Sequence, residues 1–120
     1  MARLEVMLPW PKKEQSPNFR GHWMIKSRAN KAARSMAAIL AIGQGVCMPN
    51  DKKLVVGLLF NPPDKRHRDW DNLVASMKAG LDGIADGLRV NDRNFRLGSI
   101  DVGAVHVGGR VVVTVEVLDA

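Results

Sequence analysis

Lys53-Leu-Val-Val-Gly-Leu-Leu-Phe60, followed at once by Asn61-Pro62-Pro63-Asp64, decides the fold. The run is short, almost wholly apolar and closed by prolines that cannot donate to a ladder, so it reads as a buried strand. The next segment has a different period. Leu73, Met77, Leu81, Ile84 and Leu88 recur at steps of four, four, three and four, one face of a helix over 72–88. Asp71 or Asn72 is placed to cap it. Gly80 and Gly83 lower its helix propensity but permit close packing.

Upstream, Met24 to Ile42 also has helical spacing. Ala29, Ala32, Ala33, Met36, Ile39 and Leu40 form an apolar stripe, Lys26, Arg28, Lys31 and Arg34 occupy the remaining surface, and Gly43 and Gly45 stop the helix. Before it, Leu4, Val6 and Leu8 alternate as a strand that Pro9-Trp10-Pro11 ends, and residues 12–21 form a polar loop. Downstream, Val90 to Asn94 is a polar turn. Ile100, Val102, Ala104 and His106 then alternate, Gly108-Gly109 offers a two-residue turn, and Val111, Val113, Val115 and Val117 alternate back as a hairpin. The order is β-α-β-α-β-β. That predicts one α/β (α+β) domain over residues 1–120, a mixed sheet with helices packed on it.

Composition narrows the function classes. Lys and Arg number 18 against 12 Asp and Glu, a net charge of +6 that favours a polyanionic partner. The first 34 residues hold Arg3, Lys12, Lys13, Arg20, Lys26, Arg28, Lys31 and Arg34 against Glu5 and Glu14 alone, whereas residues 64–92 hold half of all the acids. No apolar run approaches the roughly 18 residues of a membrane span. Glu5 interrupts any signal-peptide core, so no signal peptide is expected. The single cysteine, Cys47, excludes an internal disulfide, fits a reducing cytoplasm and reads as a packed or loop thiol. His22, His67 and His106 show no zinc spacing with one another or with Cys47.

Asp69 and Asp71 carry the chemistry. On an extended segment, residues i and i+2 project to the same face, and two carboxylates on one face repel unless a cation joins them. Mg²⁺ takes such oxygen ligands together with waters and substrate phosphate. Asp92 is the candidate third carboxylate, reachable only if the chain doubles back after the second helix. The bland alternative is a helix cap and a solvated charge. The basic run Lys65-Arg66-His67-Arg68 beside these acids favours a site visited by phosphates. Lys78 either reaches that site or pairs with Asp82 at i+4. Trp10 and Trp23 flank the basic loop; a place in the core is expected, and stacking on nucleobases is the alternative.

Arg68-Asp69-Trp70-Asp71-Asn72-Leu73, then Lys78, Leu81-Asp82-Gly83-Ile84 and Asn91-Asp92, resembles the RusA family of Holliday junction resolvases. Leu8-Pro9-Trp10-Pro11 and Arg20-Gly21-His22-Trp23 resemble that family's opening, so the likeness spans nearly the whole chain. It implies an endodeoxyribonuclease that cuts four-way DNA by paired, symmetric nicks in recombination and repair. It also implies Mg²⁺ or Mn²⁺, a homodimer, no small-molecule cofactor, and a bacterial cytoplasm or, for a phage-encoded member, that of the host. Residue by residue, it implies that Asp69, Asp71 and Asp92 are catalytic metal ligands and that Lys78 is the active-site lysine. The chain departs from the family in carrying Asn91 where two adjacent acids are common, and in a somewhat longer spacing around Val74 to Lys78. In this reading Lys65, Arg66 and Arg68 grip neighbouring phosphates, with Lys26, Arg28, Lys31 and Arg34 as further contacts. The alternatives are a nuclease for forks or flaps and a non-catalytic basic nucleic-acid-binding protein.

Overall fold

The structure, a computed structural model, describes residues 2–118. Four strands and three helices follow one another as β1 (Arg3–Pro9), α1 (Trp23–Gly43), β2 (Leu54–Asn61), α2 (Trp70–Ser76), α3 (Lys78–Leu88), β3 (Phe95–Val102) and β4 (Arg110–Val117). Short 3₁₀ turns at Lys13–Gln15 and Asp92–Asn94 complete the path. The strands form one mixed sheet in the order β1-β4-β2-β3, as the α+β reading expects. No helix among the described residues is long and apolar enough to cross a membrane.

Alternation in β1 and the apolar run of β2 place their side chains as expected: Leu4, Val6 and Leu8, and Leu54, Val56, Leu58 and Phe60, are buried on the helix side. The C-terminal hairpin is corrected. β4 does not pair with β3; it inserts between β1 and β2, antiparallel to both, and β3 runs parallel to β2 at the sheet edge. Residues 103–109 cross the end of β2, held by Gly103 N–H to Phe60 O at 2.8 Å and His106 N–H to Pro62 O at 2.9 Å. Gly108 and Gly109, with φ of +82° and +73°, turn the chain into β4. An alternating strand suits any pairing with one buried face, so the pattern alone could not choose between neighbours. Burial does: Val111, Val113 and Val115 are completely inaccessible, which a central strand provides and a hairpin edge does not.

The 72–88 helix is also corrected, to two helices. The first begins at Trp70 with Asp69, not Asp71 or Asn72, as its N-cap. It ends where Ser76 Oγ donates to Asn72 O at 2.7 Å, a back-bond that bends helices, and Met77 N–H turns to Val74 O at 3.0 Å. In α1 the buried line is Ala37 and Ala41, not the predicted stripe, for Met36 and Ile39 lie outside it at 48% and 69% exposure. Gly83 and Gly87 of α3 decide this phase. A methyl group at Gly83 would overlap the Arg34 carbonyl oxygen, and one at Gly87 would sit 2.6 Å from Ala38 O, so the helices touch backbone to backbone where α1 offers its smallest side chains.

Candidate functional site

The site is built where α2 meets α3 and where the chain returns after α3. Arg89 adopts the left-handed conformation (φ 58°, ψ 41°) just past the last turn, and Val90 N–H bonds back to Ala85 O. That reversal carries Asp92 back alongside α3. Lys78 Nζ donates to Asp82 Oδ1 at 2.9 Å and to Asp92 Oδ2 at 3.4 Å. The expected i,i+4 pair is therefore present, and so is the longer-range contact to Asp92. Asp82 first, and Asp92 less, raise the Lys78 ammonium above its ordinary value. The Asp82 side chain first and Lys78 second hold the Asp92 carboxyl below the usual carboxylate range.

Asp69 and Asp71 stand at the other end of α2. Asp69 Oδ1 accepts from Asn72 N–H at 3.3 Å as the helix cap, and Asp71 is exposed in the first turn. The segment is thus not extended through Asp71, and the same-face argument for the pair does not apply: helical positions i and i+2 point well apart. The seven residues of α2 rise about 10 Å, which separates these acids from Lys78 along the helix.

The arm from Asp64 to Arg68 is tied together by its own side chains. Asp64 accepts from Arg66 N–H at 2.9 Å and from Arg68 Nη2 at 2.7 Å. The Arg66 backbone donor first and Arg68 second lower the Asp64 carboxyl to about 2. Arg68 also lies over the Trp10 ring at 5.3 Å, with its side chain 13% exposed. Its charge is already paired and covered, whereas Lys65 and Arg66 are exposed and Asp64 partly shields Arg66. Trp10 packs edge-on against Phe60, as a core residue should, but Trp23 is 72% exposed and stacks on His22 instead. Cys47 is a free, exposed thiol.

A surface trough of about 630 Å³ is lined by Gln15, Trp23, Lys26, Lys31, Arg34, Lys78 and Asp82 among others. Ser76 also lines a 400 Å³ depression that reaches Asp69, Lys12, Lys13, Arg66 and Arg68. Arg34 and Asp82 also line a 210 Å³ depression that reaches Asn91 and Asp92. Asp69, Lys78 and Asp92 thus border three neighbouring depressions that share lining residues, with Lys65, Asp71 and Arg28 outside their linings. Arg34 is held by Asp86 at 2.6 and 3.0 Å, and Lys26 Nζ donates to Ser16 O at 3.0 Å; Lys31 is an exposed cation of the wall. Sequence reasoning missed Asp64 and Asp86, whose partners lie in loops or on another helix, and Gln15, which no motif marks.

The donor chemistry of three aspartates suits Mg²⁺ in kind. Their positions in one chain do not make a three-carboxylate site: among the described residues no group of three or more His, Cys, Asp or Glu side chains is arranged to hold a metal ion. Lys78 is shared between Asp82 at 2.9 Å and Asp92 at 3.4 Å, so one ammonium stands between two carboxylates there.

No protein-family model matches the chain. A Xylella fastidiosa (strain Temecula1 / ATCC 700964) protein described as uncharacterized is 39% identical to it over 113 residues, covering 92% of this chain and 74% of that protein. At that identity and coverage the two sequences share one fold and one ancestry, and the chain belongs to the same family as the Xylella protein.

Proposed function

We propose that this chain is a structure-specific endodeoxyribonuclease acting on branched DNA, with the four-way junction as its substrate, in recombination and repair. The observation that carries the reading is Lys78 on the Asp82 and Asp92 carboxylates, in a trough with Lys26, Lys31 and Arg34 on its wall and Asp69 on the neighbouring depression. Cations along such a trough bind the sugar-phosphate backbone without reading sequence. Lys78 sits where its charge can meet a phosphate in transition as well as in the ground state. Carboxylates in the same trough repel phosphate and weaken binding, so a purely binding surface has no use for them. Asp69, Asp71 and Asp92 are assigned as the acidic set on the resemblance of their motif. A divalent cation, Mg²⁺ or Mn²⁺, is the cofactor this reading implies, and a homodimer matches the two-fold symmetry of a four-way junction.

The second reading is a non-catalytic basic nucleic-acid-binding protein. It is favoured by the lack of a converged three-carboxylate group among the described residues. One experiment separates the readings: incubation with a synthetic four-way junction, a fork and plain duplex, each with and without Mg²⁺. Paired nicks in the junction that need Mg²⁺ support the proposal. Cleavage confined to forks moves it to another branched substrate, and binding without cleavage under all conditions overturns it.

A further inference from the structure

Of the three tryptophans in this chain, the fold absorbs two and leaves Trp23. Trp10 sits edge-on to Phe60 with Arg68 over its ring, and Trp70 tilts against Phe60 at 6.1 Å. Trp23 is 72% exposed, in the first turn of α1 and on the wall of the trough. An indole left in water forgoes one of the largest burials that a side chain can make. Its aromatic neighbour is His22, whose ring lies beside it at 5.8 Å and 25°. That imidazole is itself anchored, because Nδ1 accepts from Met24 N–H at 3.1 Å and caps α1. Among the described residues no other aromatic ring pairs with Trp23 and no cation lies over it. The indole is thus backed by a ring fixed to the helix start and is otherwise open.

We propose that Trp23 is a stacking platform for an unpaired nucleobase and that it sets a preference for branch points over plain duplex. The inference rests on the branched-DNA reading and adds how the branch is told apart. Cations of the trough hold phosphates, which duplex and branched DNA present alike. They follow Trp23 on the same helix, Lys26 one turn on and Lys31 about 12 Å along the axis, and both line the trough. Lys26 Nζ donates to a neutral carbonyl, that of Ser16, and keeps its charge for phosphate. Lys78 lines the same trough from α3, so a strand held at Trp23 passes the candidate active-site lysine. Such a strand brings a base to the indole only where that base has left its own stack. In duplex every base is paired and held between neighbours, whereas an interrupted stack releases one at small cost. Stacking on the ring then supplies affinity without reading sequence, because every base has a π-face.

The test is binding of the full chain, without Mg²⁺ so that nothing is cut, to a synthetic four-way junction, a plain duplex and a short thymidine oligonucleotide. Trp23→Ala should weaken junction and oligonucleotide binding about tenfold or more and leave duplex binding within about twofold of the parent. Trp23→Phe, which keeps a ring, should stay within about threefold of the parent on all three. Tryptophan emission is a second readout: the parent should be quenched by junction and oligonucleotide but not by duplex, and Trp23→Phe should lose that quenching. The side chain is exposed, so thermal midpoints of both variants should match the parent. Equal losses on junction and duplex, no loss on either, or equal quenching in parent and Trp23→Phe would each overturn the proposal. The two readings fail separately. A parent that binds and is quenched but never cuts when Mg²⁺ is supplied removes the nuclease and keeps the platform. A Trp23→Ala protein that discriminates junction from duplex as the parent does removes the platform and keeps the nuclease. A parent that binds none of the three removes both.

Discussion

Lys78 and Asp92, fourteen residues apart, are joined by an ion pair of 3.4 Å across the reversal that follows α3. The pair fixes the candidate ligand that lies farthest in sequence from Asp69 and Asp71, and it does so with a lysine that itself belongs to the candidate site. Whatever binds in the trough meets two carboxylates, Asp82 and Asp92, that share one ammonium.

The first prediction concerns that balance. Asp92 is held below the usual carboxylate range by Asp82 first and Lys78 second. Lys78→Met should therefore raise its titration midpoint, observed through the Asp92 carboxyl carbon by NMR. A depressed folded value means that the contribution to stability is present above the unfolded value and is lost as pH falls through the folded one. The parent should lose this contribution only in acid, and the variant should lack the part of it that Lys78 supplies. An Asp92 midpoint unmoved by Lys78→Met would show that the ion pair does not persist in solution.

Asp71→Asn tests the catalytic assignment. The side chain is exposed and caps nothing, so folding should be unaffected. Junction cleavage should fall by more than the roughly 100-fold upper range for loss of a residue that merely supports a metal ligand. Junction affinity should hold or rise, because one repulsion of phosphate is gone. Cleavage at the parent rate would remove Asp71 from the site.

These residues also show where the sequence was legible. The strands β1 and β2, the extent of α1 and the stop at Gly43 follow from local period and local chemistry, and the structure repeats them. Strand order does not follow, because the valines of β4 suit any neighbour and only burial on a central strand selects β1 and β2. The phase of α1 does not follow either: Ala37 and Ala41 are buried because Gly83 and Gly87 of another helix admit them, a long-range fact absent from the hydropathy of 24–42. For the site, the residue types and the Lys78–Asp82 spacing were readable. The split of Asp69 and Asp71 from Asp92 was not, since it depends on Asp69 being a cap and on the bend at Ser76.

Two cations of the basic set should behave differently toward salt. Lys31 is exposed on the trough wall, whereas Arg68 is committed to Asp64 and covered by Trp10. Lys31→Ala should reduce the slope of log binding constant against log salt by about 0.9 on duplex arms, the value for one lost phosphate contact. Arg68→Ala should leave the slope unchanged and lower the thermal midpoint. Fluorescence-anisotropy titrations over a salt series check the first, and a melting curve checks the second. Equal slopes for the parent and Lys31→Ala would take that lysine off the DNA path.

Asp64 sets a further pH dependence. Its carboxyl is lowered from 3.8 to about 2, by the Arg66 backbone N–H first and Arg68 second. The folded value lies below the unfolded one, so Asp64 favours folding above about pH 3.8 and ceases to as pH falls toward about 2. Asp64→Asn should flatten the loss of stability in that interval, read as denaturant midpoints at successive pH values. Curves for parent and variant that run parallel through the interval would show that Asp64 does not hold its partners.

The packing of α1 on α3 yields the last prediction, through two glycines that differ only in surroundings. Gly83→Ala puts a methyl group onto the Arg34 carbonyl and within 2.9 Å of Ala37 Cβ, both on a helix that can give way only by moving as a body. The cost should be about 1–3 kcal/mol, the range for overpacking a close contact. Gly43→Ala, at the last residue of α1, meets nothing within 4 Å and replaces the poorest ordinary helix former by the best. It should be neutral or stabilise by up to about 1 kcal/mol. Because Arg34 also walls the trough, displacement of α1 in Gly83→Ala should weaken junction binding along with stability, while Gly43→Ala leaves binding unchanged. Denaturant unfolding and binding titrations on both variants check the pair, and a Gly83→Ala protein as stable as the parent would mean that the two helices are not in backbone contact.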